Sequence, residues 1–156
     1  MAIGTDAPPY ILFWNPFDQK SAYTLPFPNT HAGKINDLKC ANNSMLISTS
    51  NDTHVENWNY ANATKNWDIQ MQNEQNAIGI VNSEKLVLGA INGIITECVI
   101  NTGSCQQLTT LHTTKVNSFE LLDNGDLVSS TKGGYAIQWT QGNYSTDKNI
   151  LFVGDP

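Results

Sequence analysis

Short apolar segments separated by polar turns recur along the whole chain. Each segment lasts four to six residues, is rich in Ile, Val, Leu, Thr and aromatic residues, and ends at a cluster of Asn, Gly, Asp or Ser. Runs of this length and composition are typical of β-strands, and no part of the sequence sustains the spacing of an amphipathic helix. The pattern therefore predicts an all-β protein.

The segments also repeat. Residues 45–58 and 127–139 share one order, in which an apolar run, small hydroxyl residues, a turn and a second apolar run lead to a tryptophan. Residues 1–14 and 86–98 follow the same order, and the end positions are Trp14, Trp58, Cys98 and Trp139. These positions recur every 40 to 44 residues. Such a period is typical of four-stranded antiparallel units that stack side by side.

Polar turns separate the first and second strands of successive units, at residues 41–44, 82–85 and 123–126. In the last of these turns, the pair Asn124-Gly125 favours a primed hairpin turn, which demands positive φ. Turns at equivalent places support the division of the chain into repeated units.

Four residue types stand at characteristic places in the second unit. His31 precedes its first strand, Ser48 lies on the second strand, Asp52 lies in the next turn and Trp58 ends the third strand. This arrangement resembles the WD-repeat family of β-propellers. The resemblance implies that the four side chains form a hydrogen-bonded structural tetrad, and that each unit is one blade of a propeller.

The other units match this pattern less completely. The fourth has His112, Ser129 and Trp139, with Gly133 where the Asp would stand. In the third, the corresponding places hold Glu74, Leu88, Asn92 and Cys98, so its tetrad is lost. The pair Trp67-Asp68 falls on a fourth strand, away from the position of the family's Trp-Asp ending.

The strand count predicts an incomplete ring. The first unit begins at its second strand, so residues 1–156 form one module of fifteen strands, or about 3.75 blades. The approximate blade limits are 1–30, 31–73, 74–111 and 112–156. Because blades bury their faces against neighbouring blades, an open arc would leave apolar faces in water. We expect the ring to be completed by a second copy, or by further blades of a longer chain.

The first blade is rich in aromatic residues and proline. We expect its aromatic side chains either to fill the core or to form a surface that meets a partner or a second copy; they are Tyr10, Phe13, Phe17, Tyr23 and Phe27.

Charge and hydropathy exclude some classes of partner. The net charge is −6, and the eight Lys and Arg residues are scattered, which argues against nucleic-acid binding. No apolar run is long enough to span a membrane, and residues 1–6 lack the features of a leader peptide. Together with an odd number of cysteines, this predicts a cytoplasmic location.

The three cysteines cannot all pair within one molecule, and their spacing is not that of a zinc site. The pattern favours buried free thiols over a disulfide for Cys40, Cys98 and Cys105. Sequons for N-glycosylation are expected by chance in a chain so rich in Asn, Ser and Thr; they lie at Asn42, Asn51, Asn62 and Asn143.

The sequence predicts no catalytic residue, metal site or cofactor. His31 and His112 are structural in the resemblance, and His54 is expected at the surface without a Cys or carboxylate at ligand spacing. Cys98 replaces a core Trp, where burial would disfavour a nucleophilic thiolate. Residues 123–126 lack the distal Glu of a calcium loop.

Three functions remain open. The resemblance implies a non-catalytic scaffold that holds a protein or peptide. A glycan-binding propeller is the alternative, and it predicts repeated sites in equivalent loops. An enzyme with a central site would need ionisable residues on the inner strands, where no constellation is evident; the residues there are Lys34, Asp37, Lys39, Lys115 and Glu120.

Overall fold

The computed structural model describes residues 2–4, 11–14, 22–24, 31–108, 112–142, 144 and 148–152. Within these residues the regular structure is β-strand, arranged as four antiparallel sheets that follow one another along the chain. The prediction of an all-β fold is confirmed. In the described part of the chain, no helix is long and apolar enough to cross a membrane.

Blades 1 and 2 comprise the first seven strands. Blade 1 has three strands, which are β1 (Ala2–Gly4), β2 (Ile11–Trp14) and β3 (Ala22–Thr24). Blade 2 has four strands, which are β4 (Ile35–Cys40), β5 (Met45–Ser50), β6 (His54–Asn59) and β7 (Thr64–Gln70). Each strand pairs with the next one in the chain, so both sheets are meanders.

Blades 3 and 4 repeat the four-stranded meander. Blade 3 contains β8 (Gln75–Ile80), β9 (Lys85–Ala90), β10 (Ile95–Val99) and β11 (Cys105–Gln107). Blade 4 contains β12 (Val116–Leu121), β13 (Leu127–Thr131), β14 (Ala136–Trp139) and β15 (Lys148–Phe152). The first strands β4, β8 and β12 lie next to one another, and β1 lies beside β4. We call β4, β8 and β12 the inner strands.

Buried apolar clusters hold successive blades together. Leu46 and Ile47 are neighbours on β5, and their side chains point to opposite faces of blade 2. Leu46 packs with Ile11 and Trp58 between blades 1 and 2, whereas Ile47 packs with Ile78 between blades 2 and 3. Burying each such side chain contributes about 2 kcal/mol. A strand covered on both faces explains the continuous apolar runs in the sequence.

A β-bulge interrupts each inner strand at an asparagine. Asn36 Nδ2 donates to the carbonyl oxygen of Gln75 at 3.0 Å, and Asn76 Nδ2 donates to the carbonyl oxygen of Val116 at 2.8 Å. The third bulge residue is Asn117. The first two asparagines therefore tie each blade to the inner strand of the next.

The turn between β12 and β13 differs from the predicted primed turn. Gly125 has φ of +83°, but Asn124 is not among the described residues with positive φ. The N–H of Gly125 donates to the carbonyl of Leu122 at 2.9 Å, and the N–H of Leu122 donates to the carbonyl of Asp126 at 2.8 Å. This is a longer hairpin loop that ends in a left-handed glycine, for which one residue of positive φ suffices.

The expectation of buried free thiols is wrong. Cys98 and Cys105 face each other on β10 and β11 and form a disulfide, and Cys40 is a free but exposed cysteine. Neighbouring antiparallel strands bring the two residues together, which their spacing in the sequence did not reveal. Because disulfides persist mainly in oxidising compartments, the cysteines no longer argue for the cytoplasm, and the location stays a prediction.

Removing this disulfide should lower the free energy of unfolding by about 2 kcal/mol, since the bond closes a short loop in the unfolded chain. Cys105→Ser changes the exposed partner and keeps Cys98 in the core. We expect the variant to unfold in urea like the reduced wild type, with Cys40→Ser as the control that changes nothing. Equal stability of Cys105→Ser and oxidised wild type would show that the bond does not form.

Candidate functional site

The structure brings together the four residues of the predicted tetrad in blade 2. Trp58 Nε1 donates to Ser48 Oγ at 3.0 Å, and Ser48 Oγ lies 2.7 Å from His31 Nε2. On the other side of the ring, His31 Nδ1 lies 3.2 Å from both carboxylate oxygens of Asp52. The four side chains thus link the start of the blade to β5, the following turn and β6.

The geometry assigns the protons of this network. Burial lowers the pKa of His31, so the imidazole is neutral near pH 7. Its Nδ1–H then donates to Asp52, while Nε2 accepts from the Ser48 hydroxyl. Ser48 and His31 are 0% and 3% exposed. Although Ser, His and Asp are the residue types of a nucleophilic triad, this serine is buried beyond the reach of a substrate.

Charged groups extend the network along β6 and β7. Glu56 is buried, and its Oε1 lies 2.6 Å from Lys65 Nζ, which also lies 3.0 Å from Asp68 Oδ2. The other oxygen of Asp68 lies 2.6 Å from His54 Nδ1, and this hydrogen bond raises the pKa of His54. The sequence expectation for His54 concerned only residues at metal-ligand spacing, and it did not anticipate this partner. Its partner comes from β7, fourteen residues along the chain.

Glu56 has an unusual protonation state. Burial raises the pKa of its carboxyl to about 7, although Lys65 stands beside it. Glu56 Oε2 lies 3.3 Å from His31 Nε2, which already accepts from Ser48. A neutral imidazole offers no positive charge to this oxygen, which is consistent with a protonated carboxyl below pH 7. Sequence reasoning missed Glu56; its signal is a carboxylate within an otherwise buried strand.

Blade 4 contains the three predicted residues in the same arrangement. His112 Nε2 lies 2.7 Å from Ser129 Oγ, and Trp139 Nε1 donates to the same oxygen at 2.8 Å. Gly133 stands in the turn, where its N–H donates to Thr114 Oγ1 at 3.0 Å. In blade 3 the equivalent places hold the buried residues Leu88 and Cys98, so apolar packing and a disulfide replace the hydrogen bonds.

The inner strands carry no cluster suited to catalysis among the residues described. Asp37 lies at the junction of blades 2 and 3, where its Oδ2 accepts the N–H of Ile78 at 2.8 Å and burial raises its pKa. Its carboxyl therefore acts as a tie between blades. No group of three His, Cys, Asp or Glu side chains in the described ranges could hold a metal ion.

Among the described strands, the main contacts of blade 4 with another blade are with blade 3. We call the face of blade 4 that points away from blade 3 the open face. Register places Val128 of this face at the position of Ile47 in blade 2 and Val87 in blade 3, which are both 0% exposed beneath the next blade. Val128 is only half-buried. The Asn117 side chain is exposed and makes no hydrogen bond with another described residue, unlike that of Asn76. The open face therefore has the layout of a blade junction.

Some predicted residues fall outside what the structure describes. This holds for Asn143 and for the side chains of the aromatic residues proposed as an interface in blade 1, which are Tyr10, Phe13, Phe17, Tyr23 and Phe27. The other three sequon asparagines are exposed; they are Asn42, Asn51 and Asn62.

Comparison with solved structures decides the fold. The chain is similar to the WD40 β-propeller domain of Doa1, with a TM-score of 0.72 and 19% identity over 92% of this chain and 47% of that one. The chain has a β-propeller fold. It is also similar to two computationally designed proteins. For Ika4 the TM-score is 0.72, with 24% identity over 90% of this chain and 84% of that chain. For Ika8 it is 0.71, with 21% identity over 88% and 41%.

These similarities show the fold alone, since all three identities are low. No protein-family model matches the sequence, and no curated protein matches it. The chain spans less than half of the Ika8 and Doa1 chains.

Proposed function

We propose that the protein is a non-catalytic scaffold for protein interactions, in which a second copy completes the ring of blades. The open face of blade 4 carries this proposal. It repeats the positions through which blades 2 and 3 seat the next blade, with Val128 at the apolar contact and Asn117 at the hydrogen-bond position. A closed ring would then present blade loops around a central opening, where a protein or peptide would bind.

Closure by two copies agrees with the share of two larger propellers that this chain covers. The part of this chain that superposes on the Doa1 propeller covers 47% of that chain, and the part that superposes on Ika8 covers 41%. Two copies related by a two-fold axis would therefore together span about the length of those chains. Each copy would place its open face against blade 1 of the other.

Light scattering after size exclusion, over a series of concentrations, tests this closure. We expect a dimer for the wild type and a monomer for Val128→Arg, because the long charged side chain would not fit the apolar contact. Ser83→Arg adds the same charge in an exposed turn of blade 3 and should remain a dimer. A folded monomeric wild type, or a dimer that survives Val128→Arg, would contradict the proposal.

A peptide library displayed on phage, selected against the wild-type protein, tests the scaffold. Enrichment of one sequence motif supports a peptide-binding propeller. If no motif is enriched while a glycan array gives reproducible signals lost on mutation of equivalent loop aromatics, the glycan-binding alternative replaces it.

A further inference from the structure

A cleft of about 330 Å³ lies between blades 3 and 4, at the end where β8 turns into β9 and β12 turns into β13. Both blades contribute to its walls, and it opens to solvent. The side chains that matter for its chemistry are Val81, Lys85, Glu97, Gln106, Gln141 and Tyr144. Its volume is at the lower end of the range of about 300–1,000 Å³ found for small-molecule sites.

The equivalent place between blades 2 and 3 is filled. There Trp67 Nε1 and Asn57 Nδ2 both donate to the carbonyl oxygen of Ile100, each at 2.8 Å. Met45 packs against the same apolar cluster. The large indole and its hydrogen bond close that junction.

The residues at the same positions between blades 3 and 4 are all polar or charged. Strand register and the repeat place Lys85 at the position of Met45, Glu97 at that of Asn57, Gln106 at that of Trp67 and Gln141 at that of Ile100. The two junctions therefore differ at four equivalent positions, and these differences leave a polar cleft between blades 3 and 4 where the junction of blades 2 and 3 is packed. Replacing an indole by a shorter amide accounts for the empty volume.

Backbone contacts hold the blade 4 wall of the cleft in position. The N–H of Gln141 donates to Asp126 Oδ1 at 2.9 Å, and the Tyr144 hydroxyl donates to the carbonyl of Gly125 at 2.9 Å. A side chain at position 125 would collide with the Gln141 amide, so Gly125 leaves room for it. The turn between β12 and β13 and the turn after β14 are thus fixed to each other before any ligand binds. This preorganisation lowers the entropic cost of binding.

The groups in the cleft define the ligand they suit. Lys85 Nζ lies 2.8 Å from Glu97 Oε1, so the two charges cancel while both groups keep further hydrogen-bonding capacity. The side-chain amides of Gln106 and Gln141 are exposed and make no hydrogen bond with another described residue. Beside these polar groups, Leu108 and Tyr144 are buried and add apolar surface.

We propose that this cleft binds a neutral saccharide unit, through the Lys85–Glu97 pair and the two glutamine amides. A sugar ring presents hydroxyls that both donate and accept, together with an apolar face of C–H groups. An anionic ligand would meet Glu97, and a cationic ligand would meet Lys85, so the paired charges favour a neutral molecule. Within the described residues the site occurs once, because Trp67 closes the equivalent place between blades 2 and 3. Binding at this site is independent of the ring closure proposed above.

Two-dimensional ¹H–¹⁵N NMR, titrated with glucose, galactose, mannose and N-acetylglucosamine, tests the proposal. We expect at least one of these sugars to shift the Gln106 and Gln141 side-chain amide signals in a saturable manner. Gln106→Trp, which installs the residue of the closed junction, should weaken binding by at least about tenfold. Gln106→Ala and Gln141→Ala should also weaken sugar binding. If Gln106→Trp does not fold, these two variants test whether the cleft is the binding site.

Gln107→Ala is the matched control. Gln107 neighbours Gln106 on β11, but it pairs with Thr96, whereas Gln106 pairs with Glu97, so its side chain points to the opposite face. Binding should survive this change. The proposal is overturned if no sugar shifts these signals, if the shifts persist in Gln106→Trp, or if charged amino acids or peptides bind in the cleft and neutral sugars do not.

Discussion

Replacing Gly89 with alanine should lower the free energy of unfolding by about 3 kcal/mol. Gly89 lies on β9 at the junction of blades 3 and 4, where an added Cβ would lie 2.5 Å from Val116 Cγ1 and 2.6 Å from Val116 Cβ. Rotation of the valine cannot move its Cβ, so the inner strand β12 itself would have to shift. Urea unfolding followed by tryptophan fluorescence measures the effect.

Two further variants separate the collision from backbone effects. Gly142 has φ of +78° and no atom near its missing Cβ, so Gly142→Ala should cost only about 1 kcal/mol, from the left-handed backbone. Val116→Gly removes the colliding atoms. In a double-mutant cycle, Gly89→Ala with Val116→Gly should be less destabilised than the sum of the single changes. If the changes in the free energy of unfolding were additive, residues 89 and 116 would not be in contact.

Replacing Glu56 with glutamine should change how stability depends on pH. The pKa of Glu56 is about 7 in the folded protein, against an ordinary value of 4.5. At pH values between these two, Glu56 is ionised in the unfolded chain and protonated in the folded protein. The contribution of Glu56 to the free energy of unfolding therefore falls as pH rises. At about 1.4 kcal/mol per pKa unit, the loss is about 3 kcal/mol. Relative to wild type, Glu56→Gln should therefore become more stable by this amount between pH 4 and pH 8.

Other groups titrate in the same window, but they do so in both proteins. Burial lowers the pKa values of His31 and His112, so their contributions to stability are lost as pH falls. The raised pKa of His54 acts in the opposite direction. Most of the difference between the two proteins comes from Glu56, with a smaller part from His54, whose pKa Glu56 helps to raise. Glu120→Gln controls for the loss of one exposed negative charge. A difference that does not vary with pH would show that burial does not raise the pKa of Glu56.

The strands and their stacking could be predicted because every unit contains a strand that is buried on both faces. A strand buried on both faces must be apolar at consecutive positions, as at Leu46 and Ile47. The network around Trp58 was predictable for another reason. His31, Ser48 and Asp52 are polar residues at fixed distances from a recurrent tryptophan, and the resemblance to a known family indicated how they pair.

The disulfide, the contact of His54 with Asp68 and the cleft could not be predicted, because they depend on which strands and blades are neighbours. The bond between Cys98 and Cys105 requires the register of β10 and β11, and the contact of His54 with Asp68 requires that of β6 and β7. Neither is visible in spacing alone. The cleft was hidden for the same reason, because exchanging Trp67 for Gln106 creates a space only when the two blades are in contact.

The asparagine at each inner-strand bulge has a consequence for how such chains grow. Asn36 and Asn76 donate to the backbone carbonyls of Gln75 and Val116, two residues with no chemistry in common. Since every residue offers a carbonyl, the donor places no demand on the sequence that it meets. Duplication or exchange of a blade gene segment would therefore preserve this hydrogen bond without any compensating substitution in the neighbour, even where the apolar packing between the blades has to adjust.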